Sequence, residues 1–109
     1  MPDLIGPFEQ AVLLVLVHLG KDAYGRAIFG EIQRRLNRDV SAGAVYATLE
    51  RLETKGLVSS RLAPGTALRG GRARRYFAPT AAGVRALNEA RTAIDSLWQG
   101  FVWPLKVRA

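Results

Sequence analysis

Apolar residues recur along this chain in two rhythms, and the change of rhythm divides it. From Pro7 to Leu19 almost every position is apolar. Phe8, Val12, Leu16 and Leu19 form one helical stripe, with Leu13, Val15 and Val17 beside it. Pro7 suits a first helical turn and Gly20 a stop. A helix that is apolar nearly all round has to be covered on most sides, and a chain of 109 residues has little of its own to cover it with. The excess predicts a second contact surface, most simply a dimer partner. Residues 1–6 before it read as a loose arm. A second helix is expected from about Ala23 to Arg38. Ile28, Ile32 and Leu36 make its inward face, Tyr24 and Phe29 its edges, and Gln33, Arg34, Arg35 and Arg38 its outer side.

The next stretch, Val40 to Leu57, reads as a short helix with a marked start and end. Ser41 is a good N-cap and Gly56 a good left-handed terminator. Val45, Leu49 and Leu52 share one face; Gly43, Ala47, Glu50 and Thr54 lie opposite, flanked by Tyr46 and Arg51. Small residues at the leading end let the backbone approach a large partner, which a recognition helix entering a groove about 12 Å wide requires. An ordinary amphipathic helix with a solvated outer face would show the same spacing. After Gly56 the period shortens to two. Residues 57–62 and 74–78 alternate as strands, and the segment APGTALRGGR between them (63–72) is rich in turn formers. Two helices and a tight turn followed by a hairpin make a winged helix-turn-helix. Thr80 is another N-cap, and a long helix is expected to about Val102. Val84, Leu87, Ile94, Leu97, Trp98 and Phe101 approach a heptad stripe, interrupted at Ala90 and Arg91. The fold class is therefore mainly α with a small β-hairpin. Residues 1–79 are the winged DNA-binding unit and 80–109 a dimerisation helix and tail, together one compact domain.

Charge sharpens this reading. The net charge is +7. Between Thr54 and Asn88 there is no acidic residue, while Lys55, Arg61, Arg69, Arg72, Arg74, Arg75 and Arg85 fall there. The excess of positive charge thus follows the candidate recognition helix, as a polyanionic partner requires. Catalysis has little to stand on. There is no cysteine, His18 is the lone histidine inside an apolar run, and Gly70-Gly71 lacks the flanks of a nucleotide-binding loop. No metal or cofactor is expected, and no enzyme activity. The apolar run 11–17 is too short to span a membrane, so a cytoplasmic protein is expected.

Three stretches carry a resemblance: DAYGRAIFGEIQRRL (22–36), VSAGAVYATLERLETKGLVSSRL (40–62) and GGRARRYFAPTAAGVRAL (70–87). In this order and spacing they resemble the PadR-like transcriptional regulators, especially the short members, although the last helix is shorter than in the larger ones. The resemblance implies a winged-helix homodimer that binds a pseudo-palindromic operator on double-stranded DNA and usually represses. It places Ser41, Gly43 and Tyr46 at the leading part of the DNA-facing helix and Gly70, Gly71 and Arg72 on the wing, with the helix from Thr80 forming the dimer. From spacing and charge, Ala47 joins that face, Arg51 and Lys55 hold the DNA backbone, and Arg72, Arg74 and Arg75 neutralise phosphates. Alternation puts Arg74 and Arg75 on opposite sides of the wing. The expected dimer surface comprises Phe8, Val12, Leu16, Leu87, Ile94, Trp98 and Phe101. Trp98, Phe101 and Trp103 either pack in that dimer or line a pocket for a small hydrophobic effector. A dimeric protein-interaction adaptor with a basic wing is the alternative function.

Overall fold

The computed structural model describes residues 4–65 and 70–108. Residues 1–3, 66–69 (Arg69 among them) and 109 lie outside the described residues. The elements are α1 (Pro7–Leu19), α2 (Gly25–Leu36), α3 (Ala42–Thr54), β1 (Val58–Ala63), β2 (Arg74–Pro79) and α4 (Ala81–Trp98). This order is the mainly α fold with one hairpin that the change of period implies.

α1 is the axis of the core. α2, α3, α4 and β2 all pack against it, so its apolar circumference is mostly consumed within the subunit. This corrects one expectation. Val12 and Leu16, placed on the dimer surface by the stripe, are 0% and 1% exposed and sit in the subunit's own core with Leu13, Ile28, Ile32, Val45, Leu49 and Leu52. What α1 leaves outward is Leu14 and Val17, 48% and 54% exposed. The segment before α1 is also tied down. Ile5 is buried, and its carbonyl accepts from Gln10 Nε2 at 2.9 Å, so residues 4–6 are no loose arm.

α2 begins later than its apolar spacing suggests because Tyr24 is extended, with φ −109° and ψ 163°. Its neighbourhood supplies a third edge to the hairpin: Tyr24 bridges Tyr76, and the Phe77 N–H donates to the Ala23 carbonyl at 2.8 Å. β1 and β2 pair antiparallel from Val58 opposite Pro79 to Ala63 opposite Arg74. α2 ends at Leu36, where Asn37 turns left-handed (φ 51°). Leu36, expected inward, is 38% exposed at the end of the core.

α3 starts and stops as its sequence dictates. The Ala44 N–H donates to Ser41 Oγ at 3.0 Å. At the other end Gly56 takes φ 77°, and the Leu57 and Gly56 N–H groups close on the Leu52 and Glu53 carbonyls at 2.9 and 3.0 Å. This paired closure satisfies carbonyls the helix itself cannot reach. α4 is then locked to the same corner. Thr80 Oγ1 accepts from the Gly83 N–H (3.1 Å) and donates to the Gly56 carbonyl (2.7 Å), while the Thr80 N–H donates to the Leu57 carbonyl (3.0 Å). Gly83 is required by proximity: a Cβ there would lie 2.2 Å from the Leu57 carbonyl oxygen. Ala90, an interruption in the apolar stripe, is the residue that buries against the core, because small side chains let the two helices close. Beyond it α4 leaves the body and ends at Trp98, a turn earlier than expected, with Gly100 at φ 89°. The Cα radius of gyration is 16.4 Å, against about 13 Å for a compact chain of this length. The projecting end of α4 and the exposed segment after it go with an elongated molecule, 58 Å in its longest extent.

Candidate nucleic-acid interface

The core-facing side of α3 consists of Val45, Thr48, Leu49 and Leu52, which leaves Ser41, Gly43, Ala47 and Glu50 exposed on the other. Thr48 belongs to the buried side although it is polar. Its hydroxyl donates to the Ala44 carbonyl (2.8 Å) and accepts from Arg51 Nη2 (3.0 Å), so burial leaves no group unmatched. The leading half of the exposed side is almost free of bulk. Only Tyr46 stands up from it, and its ring lies along the start of α2. A Cβ at Gly25 would meet its hydroxyl at 2.4 Å. Tyr46 thus keeps α2 and α3 in register while remaining 47% exposed.

At the trailing end the cations are tethered. Lys55 Nζ donates to Glu9 Oε2 at 2.8 Å, and Glu9 Oε1 accepts from the Gly6 N–H at 3.2 Å. The Lys55 hydrogen bond holds the Glu9 carboxyl below its ordinary range, with smaller help from Gly6 and from the charges of Lys55 and Arg51, against the opposing effect of burial. Lys55, expected on the DNA backbone, is therefore shared with the first turn of α1. Glu50 is exposed beside Ala47, Arg51 and Thr54 along a shallow groove.

The wing carries its arginines on two faces, as alternation requires. On one face the Arg74 guanidinium lies 3.9 Å from the centre of the Tyr24 ring, and that of Arg61 lies 4.7 Å from the Tyr76 ring. Tyr24 and Tyr76 meet edge to face, centroids 5.9 Å apart. On the other face Arg75 Nη1 donates to Ser60 Oγ (3.1 Å), which donates in turn to Glu53 on α3 (2.7 Å). Gly70 and Gly71 sit at φ 64° and 79°, a left-handed pair that a Cβ would strain, just before Arg72.

Between the wing base, the start of α2 and Tyr46 lies an open cleft of about 960 Å³. Arg26, Arg72, Arg74 and Arg75 line it, with Tyr24 and Tyr46, and no acidic residue does. Arg26, Arg72 and Arg74, around a cleft with no acidic lining residue and beside Tyr46 of α3, can hold a polyanion by charge; Arg75 also borders it, but its guanidinium is engaged by Ser60 on the other face. Arg26 and Tyr24 were not among the expected site residues. Periodicity does not mark them, since it is tertiary contact, the Tyr24–Tyr76 bridge and the Phe77 N–H on the Ala23 carbonyl, that brings the start of α2 to the wing.

The remaining expected residues lie away from this cleft. Phe8 and Leu87 are half-buried against the core. Ile94, Trp98, Phe101 and Trp103 are exposed on the projecting half of α4 and after it, Phe101 by 63% and Trp103 by 77%. Trp98, Phe101 and Trp103 line none of the clefts described above. Among the described residues no group of acidic, histidine or cysteine side chains could hold a metal ion, and no helix is long and apolar enough to cross a membrane.

A family model, the transcriptional regulator PadR-like family, matches residues 12–89. Transcriptional regulator Rv3488 of Mycobacterium tuberculosis is 39% identical over 91 residues, which cover 82% of this chain and 80% of that protein. The crystal structure of a PadR family transcriptional regulator from Eggerthella lenta superposes with a TM-score of 0.64 at 31% identity, covering 82% of this chain and 75% of that one. A PadR-like transcription factor from Bacteroides fragilis superposes with a TM-score of 0.69 at 26% identity, covering 83% and 82%.

Proposed function

This chain belongs to the PadR-like family of transcriptional regulators, and from that premise we propose that it is a homodimeric repressor that reads a pseudo-palindromic operator. The family makes it a DNA-binding regulator and not an enzyme. The observation that carries the finer reading is the pairing of a bulk-free α3 start with an acid-free arginine cleft at the wing. Ser41, Gly43 and Ala47 enter the major groove, and Tyr46 flanks them. Arg51 and the wing residues Gly71, Arg72, Arg74 and Arg75 follow the phosphates. Lys55 reaches a phosphate only by leaving Glu9.

Residues 1–79 do the reading and 80–109 do the pairing. The exposed apolar end of α4, with Leu14 and Val17 of α1, supports a dimer surface. Its centre is Ile94, Leu97, Trp98 and Phe101. Two subunits joined there set two α3 helices about one DNA turn, roughly 34 Å, apart. A small apolar effector that wedged against Trp98, Phe101 and Trp103 would change that spacing and release the operator. Such a regulator works in the cytoplasm, beside the chromosome.

The test is fluorescence anisotropy with the duplex upstream of the protein's own coding sequence, beside a shuffled duplex, across a salt series. Preference for the native duplex is expected, with a steep salt dependence that reflects about 6–10 phosphate contacts per dimer. The variant R72E/R74E/R75E should lose binding. Equal, weak binding to both duplexes would remove the self-regulating form of the proposal. No binding at low salt would favour a dimeric adaptor whose basic wing meets an acidic protein.

A further inference from the structure

The wing's orientation relative to α3 decides whether its arginines reach phosphate, and the hairpin alone does not set it. Two strands can swing about their base. On one face Ser60 ties them to Glu53 of α3 at 2.7 Å; on the other the anchor is the Tyr24 segment, held to β2 by the bridge to Tyr76 and by the Phe77 N–H on the Ala23 carbonyl at 2.8 Å. On this second face of the small sheet the side chains form a continuous series: Arg74 over Tyr24 at 3.9 Å, Tyr24 edge-on to Tyr76, and Arg61 over Tyr76 at 4.7 Å. An arginine stacked on a ring loses none of its in-plane donors, because guanidinium N–H groups point outward from the plane's edge. Arg74 and Tyr24 both line the acid-free cleft beside Tyr46. The stack therefore leaves the guanidinium edge available to an anion in that cleft while removing the rotamer freedom that a solvated arginine would have to give up on binding.

We propose that Tyr24 is a positioning residue for DNA binding: its ring holds Arg74 across the cleft so that the guanidinium edge meets a backbone phosphate. Tyr24 touches no DNA itself; it acts through Arg74. This inference rests on the DNA-binding reading above and adds a residue that carries no charge and reads no base. Phenylalanine at position 24 keeps the ring and should keep the effect, whereas leucine removes it.

The experiment is a double-mutant cycle in the full chain, with Tyr24→Leu, Arg74→Gln and both together, and with Tyr24→Phe as the conservative variant. Affinity is read by anisotropy on a mixed-sequence duplex, since phosphate contacts do not depend on sequence. Tyr24→Leu should weaken binding about three- to tenfold, the scale of one cation–aromatic contact. It should do so only while Arg74 is present. Arg74→Gln should lower the salt slope by about one per subunit. Tyr24→Phe should bind like the parent protein. An equal loss from Tyr24→Leu in both backgrounds would mean that Tyr24 acts through the fold alone, and would overturn the proposal. So would an unchanged affinity. The stack is checked separately in the DNA-free protein by NMR. Ring-current shifts of the Arg74 side-chain protons should persist in Tyr24→Phe and vanish in Tyr24→Leu; their absence from the parent would also overturn it. If the shifts are present but the parent binds no duplex, the DNA-binding reading has failed and takes the proposal with it.

Discussion

Changing glycine to alanine at two helical positions should move stability in opposite directions. In a solvated helix interior the exchange contributes about 1 kcal/mol, because alanine restricts the unfolded chain and glycine does not. Gly30, inside α2, meets this condition: it is exposed, and a Cβ there has nothing within 4 Å. Gly83, in the first turn of α4, does not. Its Cβ would stand 2.2 Å from the Leu57 carbonyl oxygen, 3.2 Å from the carbonyl carbon and 3.3 Å from Leu13 Cδ2. The carbonyl cannot step aside cheaply, since it accepts the Thr80 N–H at 3.0 Å. Relief requires α4 to move off by about 1 Å, with an overpacking cost of about 1–3 kcal/mol. Weakening that hydrogen bond adds about 1 kcal/mol. The propensity gain offsets about 1 kcal/mol of the total, so Gly83→Ala should be destabilised by about 1–3 kcal/mol. For a domain of this size the melting temperature falls about 4–8 °C per kcal/mol, a drop of roughly 5–20 °C, while Gly30→Ala should gain a few degrees. Thermal unfolding followed by circular dichroism, at one protein concentration to hold any association constant, measures both. A Gly83→Ala protein as stable as its parent, or a Gly30→Ala protein as damaged as Gly83→Ala, would refute the reasoning.

The caps make a second comparison. Ser41 caps α3 with one bond, whereas Thr80 both caps α4 and ties it to the Gly56 carbonyl. Ser41→Ala should cost about 1 kcal/mol and Thr80→Ala roughly twice that, by chemical denaturation. Glu9, whose carboxyl is held low by Lys55, contributes stability that is fully present above its unfolded value near 4.5 and is lost as pH falls through the lower folded value. Glu9→Gln should therefore lower stability at neutral pH by less than about 1 kcal/mol and flatten the acid limb of a stability–pH curve; an unchanged acid limb would mean the pair contributes nothing. Ile94→Glu with Leu97→Glu should halve the mass seen by light scattering, while Leu36→Glu, an exposed apolar site at the far end of α2, should leave it unchanged.

Local grammar made much of this protein legible in its sequence. The Ser41 and Thr80 caps, the Gly56 terminator and the period-two strands were readable because each depends on residues within one turn or one strand of it. The PadR-like membership was readable in three stretches, 22–36, 40–62 and 70–87, of which the last two contain those corners, and the family match over 12–89 bears it out. Of the proposed site, the exposure pattern was legible. The Ser41–Ala47 face and the opposite pointing of Arg74 and Arg75 follow from periodicity alone.

Packing decided what periodicity could not. A helix that is apolar all round has no sequence mark for which side meets its own subunit. Only the closing of four elements on α1 assigned Val12 and Leu16 to the core and Leu14 and Val17 to the outside. Ala90, a weak point in the hydrophobic stripe, and Gly83, just before it, became the buried positions of α4, because close approach favours the absence of side chain rather than its bulk. The partners of the cations were likewise tertiary: Lys55 with Glu9 spans 46 positions, and Arg74 with Tyr24 spans the whole of α2 and α3. Charge can be counted along a chain, but whether a cation is free to meet DNA depends on which groups the fold brings within a few ångströms of it.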